Sequence, residues 1–257
     1  MQADAAARVV DAAWGSAYLS PAIERTYDRN LLWVAGDGAG LAAATLDGHA
    51  ERLLGGAGMT HRRIVAEPAA DARLRPGMTA LGYEAGTHLF QIFPPGGRAP
   101  EPVAGVEVAE APVDDVLAGA EEYLKTDPDA PYGRDPRTRA HLLEHYRGYG
   151  PAGADERRFV VREDGRRGHG RVVAWARLWT RAGGDEAQVE DVVVLAPHRG
   201  RGYGRAIVAA ATRAALQASP SLLFIVADAD DWPKALYERL GYATAGRLGV
   251  YLRFAPR

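Results

Sequence analysis

The stretch APHRGRGYGRAI, residues 196–207, sets glycines at 200, 202 and 204 and arginines at 199, 201 and 205. It follows the apolar run DVVVL and leads into an alanine-rich segment with helical spacing. A strand that turns into a helix through glycines presents backbone amides that have no partner within the helix. The helix dipole adds partial positive charge at the same point, and glycine lets a bulky anion approach the backbone closely. Such a nest suits a pyrophosphate, and arginines supply formal charge and paired donors for phosphate oxygens. Two other phosphate loops do not fit. The dinucleotide fingerprint G-x-G-x-x-G needs glycine where Arg205 or Ile207 stands. A Walker A loop ends in Gly-Lys-Ser/Thr, and the two lysines, Lys125 and Lys234, lie elsewhere. A glycine-bearing helix start with solvated arginines is the plain alternative.

A second constellation is HLLEH, His141 to His145, which matches the H-x-x-E-H pattern of a zinc-binding helix. Both histidines face one side of such a helix, as zinc requires, but nothing singles out a third ligand. Substrate contact or a solvated helix face are the competing readings, and no metal is expected. The nearby DPDAPYGRD mixes Asp127, Asp129 and Asp135 with Arg134 and shows no charge preference.

The elements that must position these residues follow from periodicity and turn signals. FPPGGRAPEPVAG, residues 93–105, packs four prolines and three glycines into thirteen residues and reads as a linker. It places a boundary near 102, with a smaller α/β domain over 1–102 and a larger one over 103–257. The larger domain reads as strand (VEVAEA), two helices (VDDVLAGAEEYLK and PRTRAHLLEHYRGYG), two strands joined by a DGRRGHG hairpin, strand QVEDVVVL, and a helix over about 202–217. Tyr203, Ile207, Ala210, Ala211 and Ala214 form the apolar stripe of that helix. Strand SLLFIV, short helix DWPKALYERLGY and strand LGVYLRF complete the order, a mixed sheet with helices. The smaller domain reads as helix (3–18), strand (31–35), helix (41–54), strand (61–66), short helix and strand (88–93). Leu81-Gly82-Tyr83 matches Leu240-Gly241-Tyr242, and Phe93 and Pro95 match Phe254 and Pro256 across a two-residue gap, which hints at an internal repeat.

With these elements in place, EDVVVLAPHRGRGYGRA resembles the acetyl-coenzyme A signature of the GNAT acetyltransferases, R/Q-x-x-G-x-G/A. Arg199, Gly202 and Gly204 occupy its defined positions. DDWPKALYERLGY resembles the second motif of the family, and the order of elements over 103–257 matches. The resemblance implies a GNAT-like α/β fold with a central mixed, largely antiparallel sheet flanked by helices. It implies that the strand before the loop splays from the next one and that acetyl-CoA lies in the gap. Val192, Val193 and Val194 would pair with the pantetheine arm, and the amides from Gly200 through Arg201, Gly202, Tyr203 and Gly204 to Arg205 would hold the pyrophosphate. Asp230 stands where many members have asparagine; a carboxylate cannot donate a hydrogen bond, so its contact to the cofactor must differ. Tyr237 stands where a tyrosine is often the general acid. It lies at the edge of a stripe formed by Trp232, Ala235, Leu236 and Leu240, where a ring can pack and a hydroxyl can reach a cleft; plain packing is its other reading. Glu190 is the candidate base. Asp191 faces the other way in an ideal strand, and a bulge would exchange the two; a structural salt bridge is the alternative for Glu190.

The expected function is acetyl-CoA-dependent transfer of an acetyl group to a primary amine. A non-catalytic acyl-CoA-binding or regulatory module on the same fold, and a zinc hydrolase, are the rivals. In the first domain LLWVAGDGAG would be the equivalent strand and glycine loop, with Asp37 opposite Arg201 and Met78 opposite Tyr237. Both changes argue against a second active site. That segment is expected to pack against the catalytic domain, shape the acceptor site or form a homodimer, unless it is an unrelated extension. The net charge of −2 gives no field for nucleic acid or an anionic membrane. Absence of cysteine removes disulfides and thiolate chemistry. The start lacks the apolar core of a signal peptide, so a cytoplasmic location is expected.

Overall fold

A computed structural model describes residues 6–148, 153–163, 170–181 and 183–255. The fold is mixed α/β and divides into two compact units. One comprises residues 1–90, 227–231 and 245–257, the other residues 91–226 and 232–244. Between Phe93 and Ala109, around the expected boundary, the chain forms no helix or strand.

The first unit begins with strands β1 (Arg8–Ala12) and β2 (Gly15–Leu19), paired antiparallel from Arg8↔Leu19 to Ala12↔Gly15. This corrects the expected helix over 3–18. The alanine-rich composition favours a helix, but Gly15 sits at φ 141°, and a Cβ there would lie 2.0 Å from the Trp33 carbonyl oxygen. In β2 every second residue, Ala17 and Leu19, is buried, which is strand periodicity. β1 is exposed along most of its length and so carries little apolar signal. Strand β3 (Leu31–Val34), helix α1 (Ala43–Ala50), strand β4 (His61–Ala66), helix α2 (Pro68–Ala80) and strand β5 (Glu84–Phe93) follow. β3 and β4 run parallel, as a crossover through α1 requires. α2 is longer than the short helix expected, and it carries Pro76 inside it. The core gathers Leu32, Val34, Leu46, Leu54, Ile64, Leu74, Met78 and Tyr251.

The second unit adds β6 (Ala109–Glu110), α3 (Val113–Thr126), α4 (Pro136–Gly148), β7 (Ala154–Glu163), β8 (Arg171–Arg181), β9 (Glu186–Val194), α5 (Tyr203–Leu216), most of β10 (Leu222–Asp228) and α6 (Pro233–Arg239); the last strand, β11 (Ala243–Phe254), falls mostly in the first unit, where it pairs antiparallel with β4. The strand expected from VEVAEA shrinks to the two residues of β6, paired with Phe159 and Val160. Of the DGRRGHG hairpin at residues 164–170, residues 164–169 lie outside those described, but β7 and β8 pair antiparallel on either side of it. β8 pairs antiparallel with β9, and β9 runs parallel to β10. β8 is buried on both faces. Trp175 meets the ring edges of Tyr123 from α3 and Tyr146 from α4. The alternate residues Ala174, Ala176 and Leu178 are equally buried. Ile207 and Ala211 of the expected α5 stripe are fully buried.

The β–α–β–α–β run of residues 31–93 recurs over residues 186–254, and the LGY repeat enters its last strand in the same way. Gly82 (φ 81°) and Gly241 (φ 100°) follow α2 and α6 in the left-handed region, where glycine terminates helices. The Tyr83 amide donates to the Met78 carbonyl, and the Tyr242 amide to the Tyr237 carbonyl. The Tyr83 hydroxyl reaches Asp47 on α1, and the Tyr242 hydroxyl reaches Thr212 on α5. Met78 therefore stands where Tyr237 stands. Pro256, the last residue of the sequence match, lies outside the described residues.

The hairpin gives a prediction whose sign separates it from a helix. Gly15→Ala would stabilise a helix interior. Here it should destabilise by more than about 1 kcal/mol, read as a lower urea midpoint at unchanged slope; an unchanged or higher midpoint would contradict the β1–β2 hairpin.

Candidate functional site

β9 is irregular where it meets the expected chemistry. Trp175 of β8 pairs with Val193, but Arg177 pairs with Glu190, so β9 carries one extra residue across this interval. Asp191 takes it up at φ 52°, one of three non-glycine residues with positive φ among those described. This is a β-bulge. On the other edge of β9 the pairing with β10 runs from Glu186↔Leu222 to Val189↔Ile225. Beyond it, Val192, Val193 and Val194 are only partly buried.

The bulge assigns the two carboxylates different partners. Asp191 Oδ2 accepts from Arg177 Nη1 at 2.8 Å. Arg177 is fully buried, also donates to Glu156 of β7, and lies over the Trp179 ring. Burial works against its charge, but Asp191 and Glu156 outweigh this and raise its pKa above the ordinary value. Burial, and then the Asp191 charge, push the hydroxyl of neighbouring Tyr146 well up. Glu190 instead accepts from Gln188 two residues earlier on β9.

The loop that follows is shaped by glycine at two positions. Gly200 (φ 77°) and Gly202 (φ 84°) are left-handed, and Gly202 is the N-cap of α5. No side chain caps the helix, and no backbone acceptor takes the amides of Gly202, Tyr203, Gly204 or Arg205 among the described residues. Gly204 lies where a Cβ would sit 3.6 Å from both Leu236 of α6 and Val194 of β9. Loop, strand end and the residue before Tyr237 thus meet at one point.

The three arginines divide in a way their spacing does not reveal. Arg199 is fastened: Nη2 contacts both oxygens of buried Asp127, Nη1 donates to Asp129 at 2.6 Å, and Nε donates to the Val194 carbonyl. Arg201 donates to Glu163 at 2.9 Å. Glu163 also accepts from the Tyr203 hydroxyl and lies 2.9 Å from His198 Nδ1; the Tyr203 bond leads in holding its pKa below the usual carboxylate range. Arg205 is exposed and has no carboxylate partner among the described residues. Neither Glu163 nor the Asp127–Asp129 pair was singled out by sequence, since both lie far along the chain from the loop they serve. The glycine loop of the first unit is arranged differently. The Gly36 amide donates to Glu67, the Ala39 amide to Asp37, and Arg73 donates to the Asp37 carbonyl.

Tyr237 and Leu236 are buried, and the Tyr237 ring meets Tyr242 edge-on. Trp232, expected in the same buried stripe, is 62% exposed. It is the N-cap of α6, preceding Pro233, and so lies outside the helical periodicity that defined the stripe. Asp230 is exposed, falls in the first unit, and its amide donates to Asp228. His141 and His145 are half-buried on α4, and among the described residues no three metal-ligating side chains come together.

Residues 118–242 match the family model described as Acetyltransferase (GNAT) family. No curated protein matches the chain. Among solved structures, a functionally unknown conserved protein from Staphylococcus epidermidis is similar at TM-score 0.69 and 15% identity, over 96% of this chain and 93% of that one. A GCN5-related N-acetyltransferase from Kribbella flavida is similar at TM-score 0.61 and 20% identity, over 98% and 91%. A tandem GNAT protein from the clavulanic acid biosynthesis pathway is similar at TM-score 0.53 and 18% identity, over 83% and 70%. At these identities the likeness is one of fold, and it extends over both units. Among the described residues no helix is long and apolar enough to cross a membrane. The chain carries, over residues 118–242, a domain of the acetyltransferase (GNAT) family.

Proposed function

We propose that the protein is an N-acetyltransferase that passes an acetyl group from acetyl-CoA to a primary amine of a small molecule or peptide, by direct attack in a ternary complex. The observation that carries this reading is the opened end of β9, running directly into a left-handed glycine turn whose amides at Gly202 to Arg205 have no backbone acceptor among the described residues. Amides at a helix start suit a pyrophosphate, and the glycines leave the backbone accessible. Bound acetyl-CoA supplies the activated acyl group as a thioester. Residues 103–257 form the catalytic domain and residues 1–102 a degenerate half. The cysteine-free composition fits a cytoplasmic enzyme.

The residues then take distinct roles. Val192, Val193 and Val194 hold the pantetheine arm through their backbone. Gly200 to Arg205 hold the phosphates, with Arg205 as the side chain that has no carboxylate to leave among the described residues. Arg199 braces the loop against Asp127 and Asp129. An amine with pKa near ~10.4 is almost wholly protonated at neutral pH, so Glu190 takes its proton, directly or through water. Asp191 is paired with the buried charge of Arg177, whereas Glu190 accepts from the uncharged amide of Gln188, and Glu190 is assigned this task. Tyr237 donates a proton to the departing sulfur. In the first unit Glu67 and Asp37 take up loop amides, and Met78 lacks an acidic proton; one acetyl-CoA per chain follows.

Release of free thiol from acetyl-CoA, screened over a panel of amines, tests the activity; acetyl-CoA binding without turnover on any amine would favour a non-catalytic module. Gly202→Val should abolish acetyl-CoA binding in calorimetry, and the parent should titrate to one equivalent. A variant that binds as tightly as the parent, or a stoichiometry of two, would remove the loop assignment or the degenerate half.

Arg205→Ala should weaken acetyl-CoA more than Arg201→Ala does, because Arg201 must first release Glu163. Equal losses would mean that the internal ion pair does not matter.

Tyr237→Phe keeps the ring and removes only the donor. It should lower kcat by about 10²–10⁴-fold while acetyl-CoA affinity changes little, the pattern of an interaction made mainly in the transition state. Unchanged kcat in a folded variant would reduce Tyr237 to packing.

A further inference from the structure

We propose that Arg177 is a positioning residue: by gripping the Asp191 carboxylate it fixes the left-handed bulge of β9, and so sets where that strand opens toward the acyl donor, an inference that rests on the acetyl-transfer reading.

Asp191 sits at φ 52°, a region that L-residues occupy singly and only when the surroundings hold them there. Its carboxylate is held at 2.8 Å by Arg177 Nη1. Arg177 is itself immobilised. Its side chain is fully buried, its Nε donates to Glu156 of β7, and its guanidinium lies 4.8 Å from the Trp179 ring centroid and 5.8 Å from that of Tyr146. One side chain on β8 therefore ties β7 and β9 to each other and to α4.

Its position decides what this tie does. A buried ion pair contributes little net stability against an apolar replacement, and its best-attested use is to specify register. Arg177 stands at the register shift, opposite Glu190 and beside the extra residue. The pairing of β9 with β10 ends at Val189, one residue before that point. The tie also separates the carboxylates: Asp191 turns to Arg177, while Glu190, partly buried, accepts from Gln188. Two carboxylates already balance the guanidinium, and none of its surface meets solvent, so Arg177 does not act by contacting substrate.

The test reads the bulge with and without ligand. Arg177→Met should raise deuterium uptake at residues 190–195 in the free protein and weaken acetyl-CoA by about tenfold or more, the scale of one strained backbone conformation. Adding Asp191→Gly should restore both, because glycine adopts φ 52° without a grip on its side chain. Unchanged uptake at 190–195 in Arg177→Met, or no rescue by glycine, overturns the proposal. If Arg177→Met does not fold, the single variants Asp191→Val and Asp191→Gly decide it. Both lose the carboxylate, but only valine resists the left-handed region, so valine should lose affinity and glycine keep it; equal behaviour overturns the proposal. If the uptake pattern and its rescue appear but not even the parent binds acetyl-CoA, the bulge grip stands and the acetyl-transfer reading falls.

Discussion

A strand edge left unpaired within a sheet has to be held open by something other than its own ladder. In β9 that constraint falls on a single residue step. Up to Val189 the strand is fixed from both sides, by β8 and by β10. From Val192 onward its strand pairing is with β8, the Leu195 amide still reaches the Val173 carbonyl, and Arg199 Nε takes the Val194 carbonyl. Between these regimes lies Asp191, left-handed and bound to Arg177. The glycine turn, the start of α5 and the contact of Gly204 with Val194 and Leu236 all take their position from where β9 ends. The loop geometry is thus a consequence of the sheet geometry, and the sheet geometry turns on one buried ionic contact.

Charge in the loop follows a related logic. Three arginines near a phosphate nest read as three phosphate ligands, yet two of them are already neutralised. Arg199 joins the loop to the segment after α3 through Asp127 and Asp129, and Arg201 joins it to the end of β7 through Glu163. These carboxylates brace a turn whose amides from Gly202 to Arg205 have no backbone acceptor among the described residues. A turn that offers amides to a ligand gives up the bonds that would stiffen it, and side-chain ion pairs replace part of that stiffness.

Much of this could be read from sequence because local signals and tertiary packing agreed. The β9–loop–α5 passage, the α5 stripe from Ile207 to Ala214 and the LGY closure each carry their pattern in consecutive residues. The misreadings have specific physical origins. Residues 8–19 are rich in alanine, but Gly15 sits where only glycine fits against Trp33, a clash with a residue eighteen positions later. Trp232 looked like part of a helical stripe because its spacing is right, but the helix begins after it. The partners of Arg199 and Arg201 lie 70 and 38 residues away, and no window of sequence contains both ends. The bulge was visible only as an open choice between Glu190 and Asp191; it is the pairing of Arg177 with Glu190 and its bond to Asp191 that decide it.

The two units show how the same framework can be opened or closed. Residues 31–93 and residues 186–254 each run strand, glycine loop, helix, strand, helix, LGY turn, strand, and each run anchors its LGY tyrosine on the helix after the loop. What differs is where the loop amides go. In the first unit Asp37 folds back on Ala39 and Glu67 takes Gly36, while Arg73 clamps the carbonyl side. These are the bonds that an external anion would otherwise make, supplied by the chain itself. In the second unit Asp127 takes the Ala196 amide and grips Arg199, and Glu163 grips Arg201, while among the described residues no carboxylate takes the amides from Gly202 to Arg205. A carboxylate near a glycine turn can therefore plug the turn or brace it. Asp127 does a little of both, taking the Ala196 amide while it braces Arg199, whereas Glu163 holds the side chains of Arg201 and Tyr203.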